Sequence, residues 1–328
     1  MATSYDRHST ASDIASDLSS NIAGKVILTT GVSPRGLGAH FVETIAQHKP
    51  ALIILAGRSE SKIQATVDKI ASNPASADVP TRILILNLDS QEQIREAAKE
   101  VLAYKENIDV LVNSAGLVSS HYVTTKEGIE SHFGSNHIAH FLFTNLILPK
   151  LLASPHPRVV CVASDGHRTS GVRFDDVNFQ DGKVYSQWRA YGQSKTANIL
   201  FSKALAEKLG PRGLKTYSLH PGVVFGTSLA AAGVGEKDFA DLKAIDIENQ
   251  DVEFGKENAV FDVKTLDECA ATHVVAAFDP SLEDHNGAYL TDGNLAKDWQ
   301  LRPTARNPGD AEKLWKLSEQ LVGQKFEY

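Results

Sequence analysis

The stretch "TTGVSPRGLGAHF", Thr29–Phe41, decides how the chain is read. It follows a short apolar run, carries Gly31, Gly36 and Gly38, wedges Arg35 among them, and opens a segment with helical spacing. A glycine-rich turn between a strand and a helix lets backbone amides approach a pyrophosphate, and the helix N-terminus adds partial positive charge. Any tight turn also uses glycines, so the motif gains meaning from its surroundings.

Those surroundings alternate. "KVILTT" (25–30), "ALIILAG" (51–57), "TRILILNL" (81–88), "VLVNSAG" (110–116), "RVVCVAS" (158–164), "KTYSLHPG" (215–222) and "GAYLTDG" (287–293) read as buried strands. Between the first six lie helical patterns, such as residues 90–105, 137–152 and 194–209. Strand–helix repetition with short links predicts an α/β fold, a doubly wound parallel sheet of about seven strands with helices on both faces. "TLDE" (265–268) reads as a capping box, and "PGDAEKLWKLSEQLV" as a last helix. Two polar stretches, 166–189 and 225–262, break the rhythm as loop elaborations of one domain spanning 22–328. Residues 1–21 are polar, without the apolar core of a signal peptide, and are expected to form a flexible tail or a short docking helix.

Composition narrows the function classes. The 328 residues are 42 % hydrophobic and 22 % charged, as in a soluble globular protein, and no apolar run is long enough to span a bilayer. A formal net charge of -7 argues against a nucleic-acid partner. Two well-separated cysteines, Cys161 and Cys269, and no Asn-x-Ser/Thr acceptor point to a reducing, cytoplasmic setting.

The end of the second strand tests the nucleotide. An acid there would accept from a ribose hydroxyl, whereas an arginine meets a 2′-phosphate. "ILAGRSESK" has no acid at that point but offers Arg58 and Ser59, and Arg35 supplies a second cation. Solvated loop charges are the ordinary alternative. Two cations at the two places facing the ribose favour NADP(H).

"YGQSKTANILFSKAL" holds Tyr191 and Lys195 four residues apart, on one face of a helix. An ammonium beside a phenol stabilises the phenolate and is expected to lower the Tyr191 pKa toward the working pH. With "TGVSPRGLG", "NSAG" (113–116), "SNHIAHF" (135–141), "VASDGH" (162–167), "YGQSK" (191–195) and "HPGVVFGT" (220–227), the chain resembles the classical short-chain dehydrogenase/reductase family, in particular its retinol-dehydrogenase-like branch and fungal relatives. The resemblance runs from about residue 22 to about residue 293, rests on the order and spacing of these motifs, and carries a Rossmann-type fold.

The resemblance implies roles. Tyr191 is the general acid on a carbonyl oxygen, or the base in oxidation; Ser164 donates to that oxygen; Lys195 holds the nicotinamide ribose; and Asn136 anchors a water linking Lys195 to solvent. Gly31, Ser33, Arg35, Gly36, Leu37 and Gly38 would cradle the phosphates, with Arg58 and Ser59 at the 2′-phosphate. Asn87 and Leu88 would meet the adenine, while Asn113, Ala115 and Gly116 line its side of the cofactor and support the sheet. Pro221, Gly222, Val224 and Thr227 would contact the nicotinamide end. The sequence departs from the family pattern in four places, the mildest being "NSAG" (113–116) in place of Asn-Asn-Ala-Gly. Four residues rather than three separate Gly31 from Gly36, so the loop must bulge, with Pro34 stiffening it. Asn87 replaces an Asp, with Asp89 as the alternative, and "HPGVVFGT" has an extra residue before Thr227.

The implied activity is NADPH-dependent interconversion of a carbonyl and an alcohol on a small, largely apolar substrate, with a secondary-metabolite ketone as the class the fungal resemblance suggests. Alternatives are a non-catalytic NADP-binding regulatory or scaffold protein, and a cyclase or isomerase on the same fold. Phe174, Trp188 and Phe225 are candidate pocket walls, and a homodimer or homotetramer is the implied assembly. His132, His137 and His140 lack metal-ligand spacing and read as partnered helix histidines. "FDDVNF" (174–179) reads as a turn with solvated charges, and Cys161 as a core residue.

Overall fold

A computed structural model describes residues 5–224, 226, 227, 229, 236–249 and 263–328. All seven apolar runs become strands: β1 Val26–Thr30, β2 Leu52–Gly57, β3 Thr81–Ile85, β4 Val110–Asn113, β5 Arg158–Val162, β6 Lys215–His220 and β7 Tyr289–Thr291. An eighth, β8 Asn294–Leu295, closes the sheet, whose order is β3-β2-β1-β4-β5-β6-β7-β8. The first seven strands pair in parallel, and β8 runs antiparallel to β7. Asp292 and Gly293 join β7 to β8 with φ of 52° and 72°. Asp-Gly is the pair that a tight hairpin turn selects, so "TDGN" carried the signal for β8.

The helices are α1 Ala11–Asp17, α2 Ser19–Ile22, α3 Leu37–Ile45, α4 Glu60–Ser72, α5 Gln91–Ala103, α6 Ser131–Phe133, α7 Ala139–Leu152, α8 Gln187–Leu209, α9 Glu236–Glu248, α10 Leu266–Phe278 and α11 Pro308–Val322. Successive strand side chains point to opposite faces, so each strand feeds two cores. Leu28, Ile54, Leu111 and Val159 join α5, α7, α8 and α11 on one face. Ile27, Ile53, Val112 and Val160 join α1, α3, α4 and α10 on the other. Thr265 and Glu268 form the expected reciprocal capping box at the start of α10.

Several strands end before the apolar runs do, β4 at Asn113, β5 at Val162 and β6 at His220, and two differences from the sequence reading have a traceable local cause. The third strand stops at Ile85 rather than residue 88. The Leu86 amide still bonds the Gly57 carbonyl, but Asn87 Oδ1 then accepts the Asp89 amide and turns the chain toward Ser90, the cap of α5. The expected flexible tail is corrected over residues 5–21, where the short docking helix forms instead. Thr10 caps α1 by accepting the Asp13 amide, and Ala11, Ile14 and Ala15 are fully buried in the second core, against α10. The apolar side chains in "ASDIASDLSSNI" fall three and four residues apart, enough to bury one face of a short helix.

The order of the sheet reverses at β1, which has β2 on one side and β4 on the other. Ligands of such sheets bind where the strand order reverses, outside the carboxyl ends of the strands. The elaboration at 166–189 is tied to α8 by Gln193, which accepts the Arg173 amide and donates to the Val177 carbonyl. Within 225–262, α9 docks through Asn249, whose side chain donates to the Arg168 and Thr169 carbonyls. Phe225 lies outside the described residues.

Candidate active site

The glycine turn follows β1. Gly31 has φ 77°, and a Cβ there would stand 2.6 Å from Ala115 Cα, so only glycine lets β1 and the β4 turn close on one another. A Cβ on Gly38 would stand 2.8 Å from the Gly31 carbonyl oxygen. The extra residue forms the bulge that the spacing required. The Gly36 amide bonds the Ser33 carbonyl at 3.0 Å, enclosing Pro34 and Arg35 in a turn, and Arg35 adopts φ 65°. Proline first and a positive φ second are the marks of a type II turn, whose second position normally takes glycine. Gly36 caps α3 without any side-chain hydrogen bond, and Leu37 begins the helix. The first-turn amides of α3 therefore face the turn uncapped by a side chain, as a phosphate site needs.

The Gly31 amide bonds the Ala56 carbonyl at 2.9 Å, which sets the end of β2 beside the turn. Arg58 follows, exposed like Arg35, and Ser59 caps α4 without a side-chain bond to the helix amides, its Oγ lying 3.2 Å from Ser61 Oγ. Asn87 and Leu88 lie half-buried after β3. Asn113 points into the sheet–helix core and donates to Thr144 Oγ1 at 2.9 Å, so its side chain supports the sheet.

Tyr191 and Lys195 lie on α8 and are both buried. Ser164 lies two residues beyond β5 and accepts the Gly166 amide at 3.0 Å. A Cβ on Gly166 would stand 2.7 Å from Tyr191 Cε1 and 3.4 Å from Ser164 Oγ. Gly166 is thus the residue that admits the Tyr191 ring beside Ser164, and the sequence reading missed it. Around the ring, His132 and Trp188 stand edge-on at 6.0 and 6.1 Å between centroids.

Asn136 sits in a π-helical turn, Gly134–Ile138, between α6 and α7. Its Oδ1 accepts the Leu117 amide at 2.8 Å, and its Nδ2 donates to the Leu117 carbonyl and to Ser194 Oγ, both at 3.1 Å. Asn136 Oδ1 and Lys195 Nζ face one point, the place of a Cβ on Gly116, at 3.4 and 3.6 Å. The absent side chain of Gly116 leaves a cradle there that a ribose or a water fits.

The electrostatics correct one expectation. Burial holds the Tyr191 phenol above its usual pKa, against the opposing hydrogen bond from Ser164. Lys195, donating to the Val162 carbonyl with its Nζ 5.5 Å from the Tyr191 ring centroid, does not reverse this. Burial drives Lys195 itself down to about 8. Two groups share one low-dielectric site, and desolvation is the leading cause of both shifts.

After β6, Pro221 is buried, while Gly222, Val224 and Thr227 are half-buried. Gly222 has φ 101°, and a Cβ there would stand 2.7 Å from Lys264 Cδ and 3.3 Å from Cys269 Sγ. Lys264, which pairs with Asp292, thus backs this turn; nothing in the sequence spacing pointed to it. Of the expected pocket walls, Trp188 reaches Tyr191, whereas Phe174 packs under Lys313 of α11 at the first core, which removes it from the site.

The histidines have partners. His132 Nδ1 is 2.7 Å from Glu130, His137 Nε2 is 2.9 Å from Ser318 Oγ, and His140 Nε2 is 3.0 Å from Thr30 Oγ1. Asp176 of the "FDDVNF" turn pairs with Arg173 and caps the Gln180 amide. Cys161 is buried in β5, its thiol pushed up to about 12.

Known proteins resemble this chain over most of its length. The sequence model of the short chain dehydrogenase family matches residues 25–175. Human retinol dehydrogenase 12 is 33 % identical over 306 residues, covering 93 % of this chain and 89 % of its own. The chloroplastic short-chain dehydrogenase TIC 32 A of Brassica napus is 32 % identical, covering 97 % and 94 %. Among solved structures, an uncharacterised protein from Mycobacterium paratuberculosis superposes with a TM-score of 0.69 at 27 % identity, covering 94 % of this chain and 96 % of its own. The chain accordingly belongs to the short-chain dehydrogenase family, and the mostly parallel sheet is that of its oxidoreductases.

Proposed function

We propose that the protein is an NADPH-dependent carbonyl reductase, reversible as an alcohol dehydrogenase, acting on a small, largely apolar aldehyde or ketone. The observation that carries this reading is the convergence of Tyr191 with Ser164 across Gly166, and of Lys195 with Asn136 across Gly116, beside the glycine turn. The names of the retinol dehydrogenases agree with an apolar alcohol or aldehyde, and the Trp188 ring supplies an apolar wall at Tyr191.

The turn fits a dinucleotide: the start of α3 has no side-chain cap, and the backbone at Gly31 and Gly38 is closely approached. Ser33, Gly36 and Leu37 would hold the pyrophosphate, Arg35, Arg58 and Ser59 the 2′-phosphate, and Asn87 and Leu88 the adenine. The resemblance put Ala115 and Gly116 on the adenine side; because the open place at Gly116 lies 3.6 Å from Lys195 Nζ, we assign them with Lys195 to the nicotinamide ribose instead, with Pro221, Gly222, Val224 and Thr227 at the ring. When bound, the cofactor supplies the hydride. The protein supplies orientation and a proton. Ser164 donates to the carbonyl oxygen, and Tyr191 passes it a phenolic proton. A phenol held above its usual pKa stays protonated, the state that reduction requires. Lys195 and Asn136, facing one point, restore that proton through a water.

No helix among the described residues is long and apolar enough to cross a membrane. We place the enzyme in the cytoplasm, as a homodimer or homotetramer without a nucleic-acid partner. The test is a panel of aldehydes and ketones monitored by NADPH absorbance, with NADH as the control and Tyr191→Phe as the variant. Turnover with NADPH that Tyr191→Phe abolishes, while cofactor binding is kept, supports the reading. Full activity of the variant overturns the mechanism.

A further inference from the structure

Three segments that carry the site are joined by one buried side chain outside it. Thr30 ends β1, immediately before the glycine turn, and its Oγ1 accepts the amides of Ser114 and Ala115 at 3.0 and 2.9 Å. His140 stands on α7, with Nε2 3.0 Å from Thr30 Oγ1 and Nδ1 3.0 Å from the Asn136 carbonyl oxygen. Both side chains are almost fully buried.

Hydrogen-bond logic fixes every proton in this chain. A carbonyl oxygen only accepts, so His140 Nδ1 carries the ring hydrogen. Nε2 is then bare and accepts, so the Thr30 hydroxyl donates to it. That leaves the Thr30 lone pairs for the two amides. The network is complete, without a spare donor or acceptor, and the imidazole is neutral. Burial agrees, driving His140 down to about 4.

The consequence concerns Asn136. A π turn interrupts the regular ladder of a helix and recurs at functional sites. The Asn136 carbonyl is held by a side chain from the following turn, and the Asn136 amide reaches Leu117, just beyond Gly116. We infer that His140 is a positioning residue that locks the π turn bearing Asn136 to the end of β1, so that the glycine turn, the β4 turn and Asn136 keep one register around the cofactor. The inference rests on the dehydrogenase reading for its kinetic consequence, and on the hydrogen bonds for its structural one.

The test compares His140→Leu, which removes both bonds, with His140→Gln, whose amide can donate and accept, and with Ile147→Ala. Ile147 is fully buried on the same helix and touches neither Thr30 nor Asn136 through hydrogen bonds, so it reports a pure packing loss. At a temperature where all variants are folded, His140→Leu is expected to lower kcat at least 10-fold and to raise the Kd for NADPH by a similar factor. His140→Gln recovers most of both, and Ile147→Ala lowers Tm while kcat and Kd stay within about twofold of the parent. Amide hydrogen exchange at Ser114, Ala115 and Leu117 in the cofactor-free protein is expected to quicken in His140→Leu alone. If His140→Leu behaves as Ile147→Ala does in all three measurements, the positioning role is overturned. A parent protein that turns over no carbonyl refutes the functional reading, and the exchange measurement then decides the His140 link by itself.

Discussion

Arg35 occupies a backbone conformation that suits glycine, in a turn where glycine is the usual residue. Replacing it by glycine separates two consequences that a single mutation rarely separates. An L-residue in the left-handed region costs about 1–2 kcal/mol relative to glycine. Glycine returns about 0.5–1 kcal/mol of that through the entropy of the unfolded chain. The net expectation for Arg35→Gly is a gain of about 0.5–1 kcal/mol, which in a large domain raises Tm by roughly 1–3 °C. The guanidinium is exposed, so little native contact is lost with it.

Cofactor binding moves the other way. A charge-assisted hydrogen bond to a phosphate contributes about 1.5–3 kcal/mol, and its loss at an exposed site falls at the lower end. Arg35→Gly is therefore expected to raise the KM for NADPH about 10-fold while that for NADH stays within about twofold. Lysine in place of Arg35 keeps the charge and the strain, so it should retain part of the NADPH preference without the gain in Tm. Calorimetry or a thermal shift gives the first quantity, and initial rates with both nucleotides give the second. An equal loss for NADPH and NADH shows that Arg35 does not meet the 2′-phosphate. A fall in Tm shows that the turn needs the arginine itself, and the strain argument fails.

Other expectations follow from single contacts. Gly166→Ala sets a Cβ against Tyr191 Cε1 and should cut kcat about 100-fold while leaving NADPH binding intact, as fluorescence titration would show; full turnover would disprove the close approach. Ile14→Ala should cost about 2–5 kcal/mol in urea unfolding, because Ile14 is fully buried; a loose N-terminal segment would give no change. Lys195→Met should remove a buried ammonium whose folded pKa, about 8, lies below its ordinary 10.5. Below pH 8 both folded and unfolded chains carry that charge, and the folded one bears the desolvation cost; above about 10.5 neither does. The variant should thus be the more stable at pH 7, lose that advantage as pH rises from 8 to 10.5, and be inactive throughout. A stability difference that does not change with pH refutes the buried charge.

The sheet was legible because its strands are Val/Ile/Leu runs whose two faces both find helices, and the glycine turn was legible because backbone crowding leaves glycine as the residue that fits. The Tyr191–Lys195 pair was legible because helical spacing alone puts both on one face. Gly166, Lys264 and His140 were not, because their roles come from where the chain returns in space. Gly166 matters through the Tyr191 ring, 25 positions later, and His140 through Thr30, 110 residues earlier. The third strand ends early for a local reason, the Asn87 side chain competing for a backbone amide. The N-terminal segment was left between a tail and a docking helix because a polar average hides one buried aliphatic side chain per turn, Ile14, Leu18 and Ile22. The direction of the Tyr191 shift was also hidden: a sequence shows that an ammonium is near, but not that burial acts on both partners.

The unfavourable local terms collect at one end of the sheet. Arg35 holds a strained backbone, Lys195 a buried charge and Asn136 a π turn, and all three lie along the carboxyl edge where the strand order reverses. None of them stabilises the cofactor-free fold, whose stability comes from the two apolar layers and the helices that cover them. A layered sheet tolerates this division because its edge loops add little to either core. The chemistry makes the division necessary. A proton donor must be held at the substrate oxygen away from bulk water, a phosphate needs amides that no side chain has capped, and a ribose needs a space where a side chain would otherwise be. If that reasoning holds, a saturating NADP(H) concentration should raise Tm more in the parent than in Lys195→Met or Arg35→Gly, because the ligand pairs with the ammonium and guanidinium that those variants lack. An equal ligand-induced rise in all three would mean that the unfavourable terms and the cofactor site are unconnected.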